Sequence, residues 1–211
     1  MYTGETMYFG NNRVIRLDLE KEDAPRDLLF DSIKPLWLLY EPWATDVEIR
    51  RMITKKAGRK IDVVFDRNDS IRGFLIFRLF RHQSLKIMFR GNSYLHSDVR
   101  GLGAHLFNRT INQYRADRIV SFTQQERVYA FLSHFGETLP DYRKPASDCE
   151  YQLLTQLAGS KYIVDKNTLI VRNFYRHHQE PEGGPVRNER VRKIFSRLGS
   201  RDAFAIVVRR S

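Results

Sequence analysis

The chain has 211 residues, of which 42% are hydrophobic, 12% aromatic and 29% charged. This mixture is typical of a folded globular protein and excludes a disordered chain. The formal net charge is +11 and the pI is about 9.9, a balance that attracts nucleic acid, anionic membranes or polyphosphate cofactors. No apolar run is long enough to span a bilayer, and no basic start is followed by an apolar block, so we expect neither a membrane partner nor a secretory signal.

Cysteine and histidine usage narrows the class of protein further. Cys149 is the only cysteine, which excludes an intrachain disulfide and a zinc site built on cysteines. His177 and His178 have no third ligand at a metal-binding spacing, so we predict no metal. This composition is typical of a cytoplasmic protein.

The positive excess lies in the later part of the chain. Residues 1–60 hold 11 Lys/Arg against 10 Asp/Glu, residues 61–145 hold 13 against 8, and residues 146–211 hold 12 against 7. A solvated basic surface and an anion-binding surface both account for this distribution.

The first half of the chain alternates strand and helix patterns. Thr45 and Glu48 have the spacing of a capping box, Gly58 is expected to end the helix that they open, and Gly91 indicates a bulge or a close backbone approach. The patterns predict a strand over 14–20, a helix over 24–43 broken near Pro35, a helix over 45–58, a strand over 60–66, its hairpin partner over 71–81 and a strand over 85–96.

The second half continues with a crossover helix. A strand, a helix and a further strand imply that 85–96 and 118–124 are parallel neighbours. The last strand is apolar enough to belong to the main sheet, so we predict one domain over 1–211, with 140–211 a divergent basic part. The patterns predict helices over 103–116, 125–136, 147–159 and 187–199, strands over 118–124, 167–175 and 202–210, and a polar loop over 177–189.

The segment "HSDVRGLGAHLF", residues 96–107, places two glycines between a strand and a helix. The start of a helix has unpaired N–H groups and a partial positive charge, and glycines let a ligand approach them, so this pattern is typical of a phosphate site. Arg100 and His105 add positive charge. The third glycine of a dinucleotide-binding motif is missing, and no Gly-Lys-Ser/Thr follows. A tight turn without a ligand remains the alternative.

This segment resembles the phosphate-binding loop of the GNAT superfamily of acyl-CoA-dependent N-acyltransferases, Arg/Gln-x-x-Gly-x-Gly/Ala. Arg100 and Gly103 match its first and fourth positions. The surrounding order of hairpin, strand, loop, helix, strand and helix is also similar, most clearly over 61–136. The resemblance implies an α/β fold of the α+β type, with a mixed central sheet, helices on both faces and a C-terminal extension of helices and a strand.

The resemblance also implies acetyl-CoA or another acyl-CoA as co-substrate. The sequence departs from the family at His105, where Gly or Ala is usual, at Leu132, where the family commonly has a tyrosine, and at Gln125, where an asparagine often opens the fourth helix. The residues expected to bind the cofactor are Tyr94, Leu95, His96, Arg100, Gly101, Leu102, Gly103, Ala104, His105 and Gln125.

An amine that attacks a thioester directly needs a base, whereas the thiolate leaves readily without a strong acid. His96 is the candidate base because it is titratable near neutral pH and ends the strand. Tyr129 lies one turn before Leu132 and is the candidate substitute for the missing tyrosine. Glu126 and Asp66 are weaker candidates for the base, and a water chain is a further alternative.

These features predict transfer of an acetyl group to an amine on a small molecule or a macromolecule. The positive charge favours an amine carried by tRNA or DNA, and a catalytically inactive GNAT-like module that binds nucleic acid is a rival hypothesis. A bound CoA with only a structural role is a weaker one. The sequence makes no prediction of the acceptor's identity or of the oligomeric state. The basic residues that suit nucleic acid are Arg72, Arg78, Arg81, Arg190, Lys193 and Arg197.

Overall fold

The computed structural model describes residues 4–21, 23–99, 101–141, 144–176 and 186–210. Within these ranges the chain forms nine β-strands and six α-helices, which confirms the predicted α/β class. The chain divides into two compact units: Met1–Phe80 with Arg90–Arg115, and Arg81–Phe89 with Ala116–Ser211. The single domain expected over 1–211 stays a prediction. None of the helices described here has both the length and the apolar character needed to cross a membrane.

The first unit is a sheet with helices on both faces. Its strand order is β1-β2-β3-β4-β5, and β1 to β4 pair antiparallel with their neighbours. The second half of β5 belongs to this unit, and its first half belongs to the other. The elements are β1 (Glu5–Phe9), β2 (Asn12–Asp18), α1 (Arg26–Tyr40), α2 (Asp46–Ile53), β3 (Arg59–Phe65), β4 (Ile71–His82), β5 (Leu85–Leu95) and α3 (Leu102–Tyr114).

Alternating residues of these strands build two separate cores, as expected when successive side chains point to opposite faces. One core packs the sheet against α1 and α2 and includes Leu17, Ile61 and Trp37. The other packs the sheet against α3 and includes Val64 and Leu106. The helices on both faces that the resemblance implies are therefore present in this unit.

Three features of the first unit differ from the sequence predictions. Strand β1 was not predicted, because it is short and pairs only with β2. Helix α1 continues through Pro35, whose missing N–H lies on an exposed face where water can solvate the freed carbonyl of Asp31. Helix α2 ends at Ile53 rather than at Gly58. Gly58 instead has φ +70°, and a Cβ there would lie 1.8 Å from the Leu79 carbonyl oxygen.

Two local predictions are confirmed. Thr45 accepts a hydrogen bond from the Glu48 N–H, and the Glu48 carboxylate accepts one from the Thr45 N–H, which completes the capping box of α2. A Cβ at Gly91 would lie 3.0 Å from the Ile76 carbonyl oxygen, so this glycine permits the close backbone approach expected of it.

A buried ion pair joins β2, β3 and α3. Arg16 and Asp62 are cross-strand partners, and the guanidinium binds the carboxylate through two hydrogen bonds of 2.7 and 2.8 Å. The same guanidinium donates to the Thr110 hydroxyl at 2.5 Å and to the Gln113 side-chain oxygen at 3.3 Å, both on α3. The position of α3 on the sheet is therefore specified by hydrogen bonds as well as by apolar packing.

Replacing Asp62 with alanine is expected to destabilise the fold by roughly 3–5 kcal/mol, because it leaves the Arg16 charge buried without a partner. Urea unfolding followed by circular dichroism measures this change. The matched control is Asp27→Ala, which removes a carboxylate from the exposed ion pair with Arg50 and should cost less than about 1 kcal/mol. Equal effects of the two substitutions would contradict a structural role for the Arg16–Asp62 pair.

The second unit has the strand order β5-β6-β9-β7, and β8 also pairs with β9. Strand β9 pairs antiparallel with β6, β7 and β8, so the predicted insertion of the last strand into the sheet is confirmed. Beyond β5, the elements are β6 (Arg118–Thr123), α4 (Glu126–Leu132), β7 (Glu137–Leu139), α5 (Asp148–Ala158), β8 (Ile170–Val171), α6 (Glu189–Phe195) and β9 (Ala203–Arg209).

Several elements of this unit are shorter than predicted. The strand predicted over 167–175 keeps only the two residues of β8, and the helix predicted over 187–199 keeps seven. Strand β7 was not predicted, and α4 ends at Leu132, after which a 3-10 turn leads to Gly136. Most of the polar loop predicted over 177–189 lies outside the described residues.

A buried carboxylate organises the polar contacts of the second unit. Glu150 is only 1% exposed, and it accepts hydrogen bonds from Arg118, from Arg209 and from the Ser147 N–H. Burial alone would raise the pKa of Glu150, but the hydrogen bonds from Arg209 and the Ser147 N–H outweigh it and lower the pKa to about 2. The ionised carboxylate therefore stabilises this unit.

The lowered pKa of Glu150 predicts acid sensitivity. Its stabilising contribution is complete above the ordinary glutamate pKa and is lost as the pH falls through the folded-state value of about 2. It amounts to about 3 kcal/mol at roughly 1.4 kcal/mol per pKa unit. We expect Glu150→Gln to be less stable than the parent at neutral pH, with a difference that shrinks steadily toward pH 2. Urea unfolding across this range tests it, and Asp148→Asn, at an exposed carboxylate of the same helix, is the control.

Candidate active site

The glycine turn connects the end of β5 to the start of α3 through a 3-10 turn at Ser97–Val99. Gly101 occupies the N-cap of α3 with φ +80°, and no side chain caps the helix. The Gly101 carbonyl accepts the first intrahelical hydrogen bond, from the His105 N–H at 3.1 Å. The N–H groups of the first turn have no partners within the helix, which is the geometry of an anion site. Arg100, predicted to add charge here, lies outside the described residues.

The two glycines of the turn serve different purposes. Among the described residues other than its chain neighbours, a Cβ at Gly101 would meet no atom within 4 Å, so that position requires glycine for its backbone conformation rather than for close packing. A Cβ at Gly103 would lie 2.5 Å from the Leu95 Cδ1 atom. Gly103 therefore allows α3 to pack closely against the end of β5, a structural function that needs no ligand. Leu102 is buried, whereas Ala104 is exposed.

The large side chain of His105 packs against β1. Its ring lies 4.8 Å from the Phe9 ring, centroid to centroid, in an edge-to-face arrangement. Phe9 is the last residue of β1, the strand that the sequence did not predict. This contact accounts for a large residue where the resembled family has Gly or Ala.

His96 and Asp98 form a hydrogen-bonded pair beside the glycine turn. The His96 Nδ1 atom lies 2.9 Å from a carboxylate oxygen of Asp98 and 3.1 Å from a guanidinium nitrogen of Arg72, which also pairs with Asp98. When Nδ1 donates to Asp98, Nε2 is the basic atom of the ring. The hydrogen bond from Arg72, with a further one from His96, lowers the pKa of Asp98, so this carboxylate is charged when it accepts from the imidazole.

Helix α1 fixes the end of β5 from the other face of the sheet. The Tyr94 ring stacks on Tyr40, with 5.0 Å between centroids, and contacts Trp37 and Phe74. The Tyr40 hydroxyl donates to the Leu95 carbonyl at 3.1 Å. Because His96, the residue that follows β5, donates its N–H to the Arg72 carbonyl of β4, the Leu95 N–H points away from β4.

The sequence reasoning missed three of these contributors: Asp98, the partnership of Arg72 with His96, and Tyr40. The spacing of His and Asp in "HSD" contained a usable signal for Asp98, since residues two apart can meet at a strand end. Tyr40 lies in the aromatic segment "WLLYEPW", whose sequence gives no sign of a contact with β5.

The candidate residues of the second unit have structural partners. Gln125 is the N-cap of α4, and its N–H donates to the Thr123 hydroxyl at 2.9 Å. Tyr129 is buried, and its hydroxyl donates to the carbonyl oxygens of Pro140, at 2.9 Å, and Thr138, at 3.3 Å. These bonds favour a structural role for the hydroxyl, and the catalytic role of Tyr129 stays a prediction. Leu132 is fully buried.

The weaker candidates for the base also have local functions. Asp66 accepts the N–H groups of Asn68 and Ser70 in the β3–β4 turn, and Glu126 accepts the Val186 N–H. The Cys149 thiol donates to the Gln83 side chain at 3.2 Å. Within the described ranges, no three His, Cys, Asp or Glu side chains are grouped to hold a metal, and His177 and His178 lie outside those ranges.

No protein-family model and no curated protein sequence matches the chain. Solved structures of acetyltransferases are similar to part of it. The catalytic domain of the Tetrahymena GCN5 histone acetyltransferase in complex with coenzyme A is 14% identical over 65% of this chain and 82% of its own, with a TM-score of 0.46. The NatC complex bound to Gag peptide and CoA is 13% identical over 94% of this chain and 99% of its own, with a TM-score of 0.45. A ribosomal-protein-alanine N-acetyltransferase from Brucella melitensis is 19% identical over 51% of this chain and 78% of its own, with a TM-score of 0.36.

Alanine at either glycine of the turn should destabilise the fold, but for different reasons. At Gly101 the cost is backbone strain of about 1–3 kcal/mol. At Gly103 the Cβ must displace the Leu95 Cδ1 atom, which is the end of a flexible side chain, so the cost is only about 1 kcal/mol. Leu95→Ala should therefore recover part of the loss in Gly103→Ala and none of it in Gly101→Ala. Thermal unfolding of the single and double variants measures both couplings, and equal recovery of the two glycine variants would contradict the distinction.

Proposed function

We propose that the chain is an N-acyltransferase that transfers an acetyl group from acetyl-CoA directly to an amine. The observation that supports this most strongly is the meeting of two features in the first unit. An uncapped helix start with a left-handed glycine lies next to a histidine that is hydrogen-bonded to a carboxylate. The first suits a phosphorylated cofactor, and the second suits removal of a proton from an incoming ammonium.

The cofactor-binding part of the proposal uses the start of α3 and the end of β5. The N–H groups of Leu102, Gly103 and Ala104 would hold the pyrophosphate, with the adjacent Arg100 supplying charge. Gly101 suits the approach of such a group, because it has no Cβ and no side-chain hydrogen bond caps α3. When bound, acetyl-CoA supplies the thioester that serves as acyl donor.

The catalytic part of the proposal assigns the base to His96. Its Nε2 atom accepts a proton from the acceptor amine, while Asp98 holds the ring through Nδ1 and stabilises the imidazolium. The Leu95 N–H, which points away from β4, is the proposed donor to the carbonyl oxygen of the donor acyl group, where one such donor lowers the barrier by about 3 kcal/mol. Tyr40 of α1 keeps that peptide group in place through its hydrogen bond to the Leu95 carbonyl and its stacking on the Tyr94 ring of β5.

A second candidate is a module of the same fold that binds nucleic acid without catalysis. The net charge of +11 favours this module. The same charge also favours an acyltransferase whose acceptor amine is carried by tRNA or DNA. Acetyl-CoA binding distinguishes the inactive module from either enzyme.

Excess acetyl-CoA is expected to raise the melting temperature of the protein. A ligand at 100 times its Kd stabilises the folded state by about 2.7 kcal/mol, which a thermal melt detects easily. His96→Gln should keep this shift, because the proposed role of its imidazole is in proton transfer rather than in phosphate binding. Gly101→Val should lose it, because the branched side chain alters the backbone that faces the phosphates.

Acyl transfer is then measured as release of free CoA thiol with a panel of primary amines: a polyamine, a lysine-containing peptide and an aminoacylated RNA. We expect at least one amine to stimulate release, and His96→Gln to reduce that rate by about 10²-fold or more. A parent protein with no thermal shift and no thiol release would refute the enzymatic proposal and leave the binding module.

A further inference from the structure

Four basic side chains gather where α2 leads into β3, and we call them the basic cluster: Arg51, Lys56, Arg59 and Arg78. Arg51 lies in the last turn of α2, and Lys56 lies in the connection that follows. Arg59 opens β3 and is directly opposite Arg78 in the register of β3 and β4. Like charges directly opposite in a sheet repel each other, so this pairing destabilises the strand contact in the absence of an anion.

Main-chain carbonyls hold the two strand arginines in fixed positions. Arg59 donates through one nitrogen to the carbonyl oxygens of Arg51, at 2.9 Å, and Thr54, at 3.1 Å. Arg78 donates through Nε to the Ala57 carbonyl at 2.8 Å, and its guanidinium carbon lies 4.5 Å from the centre of the Phe80 ring. The cluster is therefore a built arrangement rather than a set of freely moving surface side chains.

No carboxylate of the described residues forms an ion pair with the basic cluster. The nearby carboxylate of Glu20 accepts the Gly58 N–H instead. Burial lowers the pKa of Lys56 and of Arg59, and repulsion within the cluster lowers both further. Several other cations of this unit differ, because they have acid partners: Arg13 with Asp69, Lys34 with Asp46 and Arg50 with Asp27.

The basic cluster is distinct from the glycine turn. Arg78 lies near the end of β4, whereas Arg72, the partner of His96, lies near its start. Six residues of extended strand separate them, which is about 20 Å at 3.3 Å per residue. A ligand bound at the cluster therefore does not occupy the proposed cofactor site.

We propose that the basic cluster binds the phosphodiester backbone of a nucleic acid. Guanidinium groups match phosphate oxygens with paired hydrogen bonds, and several cations without acid partners supply the sequence-independent attraction on which such binding depends. A membrane surface fits less well, because interfacial binding needs exposed apolar side chains beside the cations. Among the described residues, Val47 is a large exposed apolar side chain one turn before Arg51 on α2, but none lies in the connection from Thr54 to Gly58 or on β3 or β4.

The test is fluorescence anisotropy with a labelled single-stranded RNA of about 20 nucleotides and a duplex DNA of similar length, over a range of salt concentrations. The first variant is the double substitution Arg51→Gln with Lys56→Gln, at exposed side chains. We expect binding to weaken about 10-fold or more, and the salt slope for RNA to fall by about 1.4, at about 0.7 per phosphate contact. The matched control, Arg13→Gln with Lys34→Gln, removes the same charge from cations that have acid partners and should leave affinity within about 2-fold.

A second double variant, Arg59→Gln with Arg78→Gln, tests the strand pair, and thermal unfolding checks that each variant is folded. Arg78→Lys keeps the charge but loses the planar fork, so it should weaken binding less than Arg78→Gln. Equal loss in the cluster variants and in the control would overturn the proposal in favour of diffuse attraction. Binding of the parent to phosphatidylserine vesicles without binding to RNA or DNA would overturn it, and so would no binding to any of these probes.

Discussion

The first unit depends on the ion pair between Arg16 and Asp62, since these two residues link β2, β3 and α3 by hydrogen bonds in addition to the apolar contacts of the same three elements. Two charges removed from water are costly, and the cost is offset only when every polar atom finds a partner. Here the guanidinium satisfies both carboxylate oxygens and still reaches Thr110 and Gln113 on α3. An apolar contact would let the helix rotate or slide, whereas this directional network specifies one position. Because the glycine turn is continuous with the start of α3, fixing the helix also fixes the turn.

The end of β5 is restrained from both faces of the sheet. On one face, Gly103 lets α3 pack directly on Leu95. On the other, the rings of Tyr40 and Tyr94 stack, and the Tyr40 hydroxyl binds the Leu95 carbonyl. A peptide group proposed to donate to a developing oxyanion must be held before the reaction begins, because reorganising it later would raise the barrier. The side chains of Tyr40 and Tyr94 thus immobilise a backbone segment, with His96 immediately after it.

Local signals in the sequence were the reliable ones. The capping box of α2, the glycine turn with its helix, and the close approach at Gly91 were all indicated by short stretches of the sequence. Features set by distant residues were missed. Strand β1 exists because β2 offers it an edge, and Pro35 stays within a helix because tertiary packing of the buried face outweighs one lost hydrogen bond. The contact of Arg72 with His96 requires the pairing of β4 with β5, so the sequence indicated the histidine without its full set of partners.

Net charge alone does not indicate where an anionic ligand would bind to this chain. A more specific guide is which cations are paired with carboxylates and which are not. Arg118 and Arg209 share the buried carboxylate of Glu150, and Arg16 is bound to Asp62. The charges of these cations are therefore balanced by acids within the fold. A guanidinium whose acceptors are main-chain carbonyls retains most of its charge for an external anion, because a carbonyl dipole does not neutralise it. Arg59 and Arg78 are of this second kind, and they face each other across two strands at a cost in stability. Binding of a phosphate group at this point would turn that repulsion into a bridging attraction, which makes the α2–β3 connection a more specific expectation for an anionic partner than the overall charge of the protein.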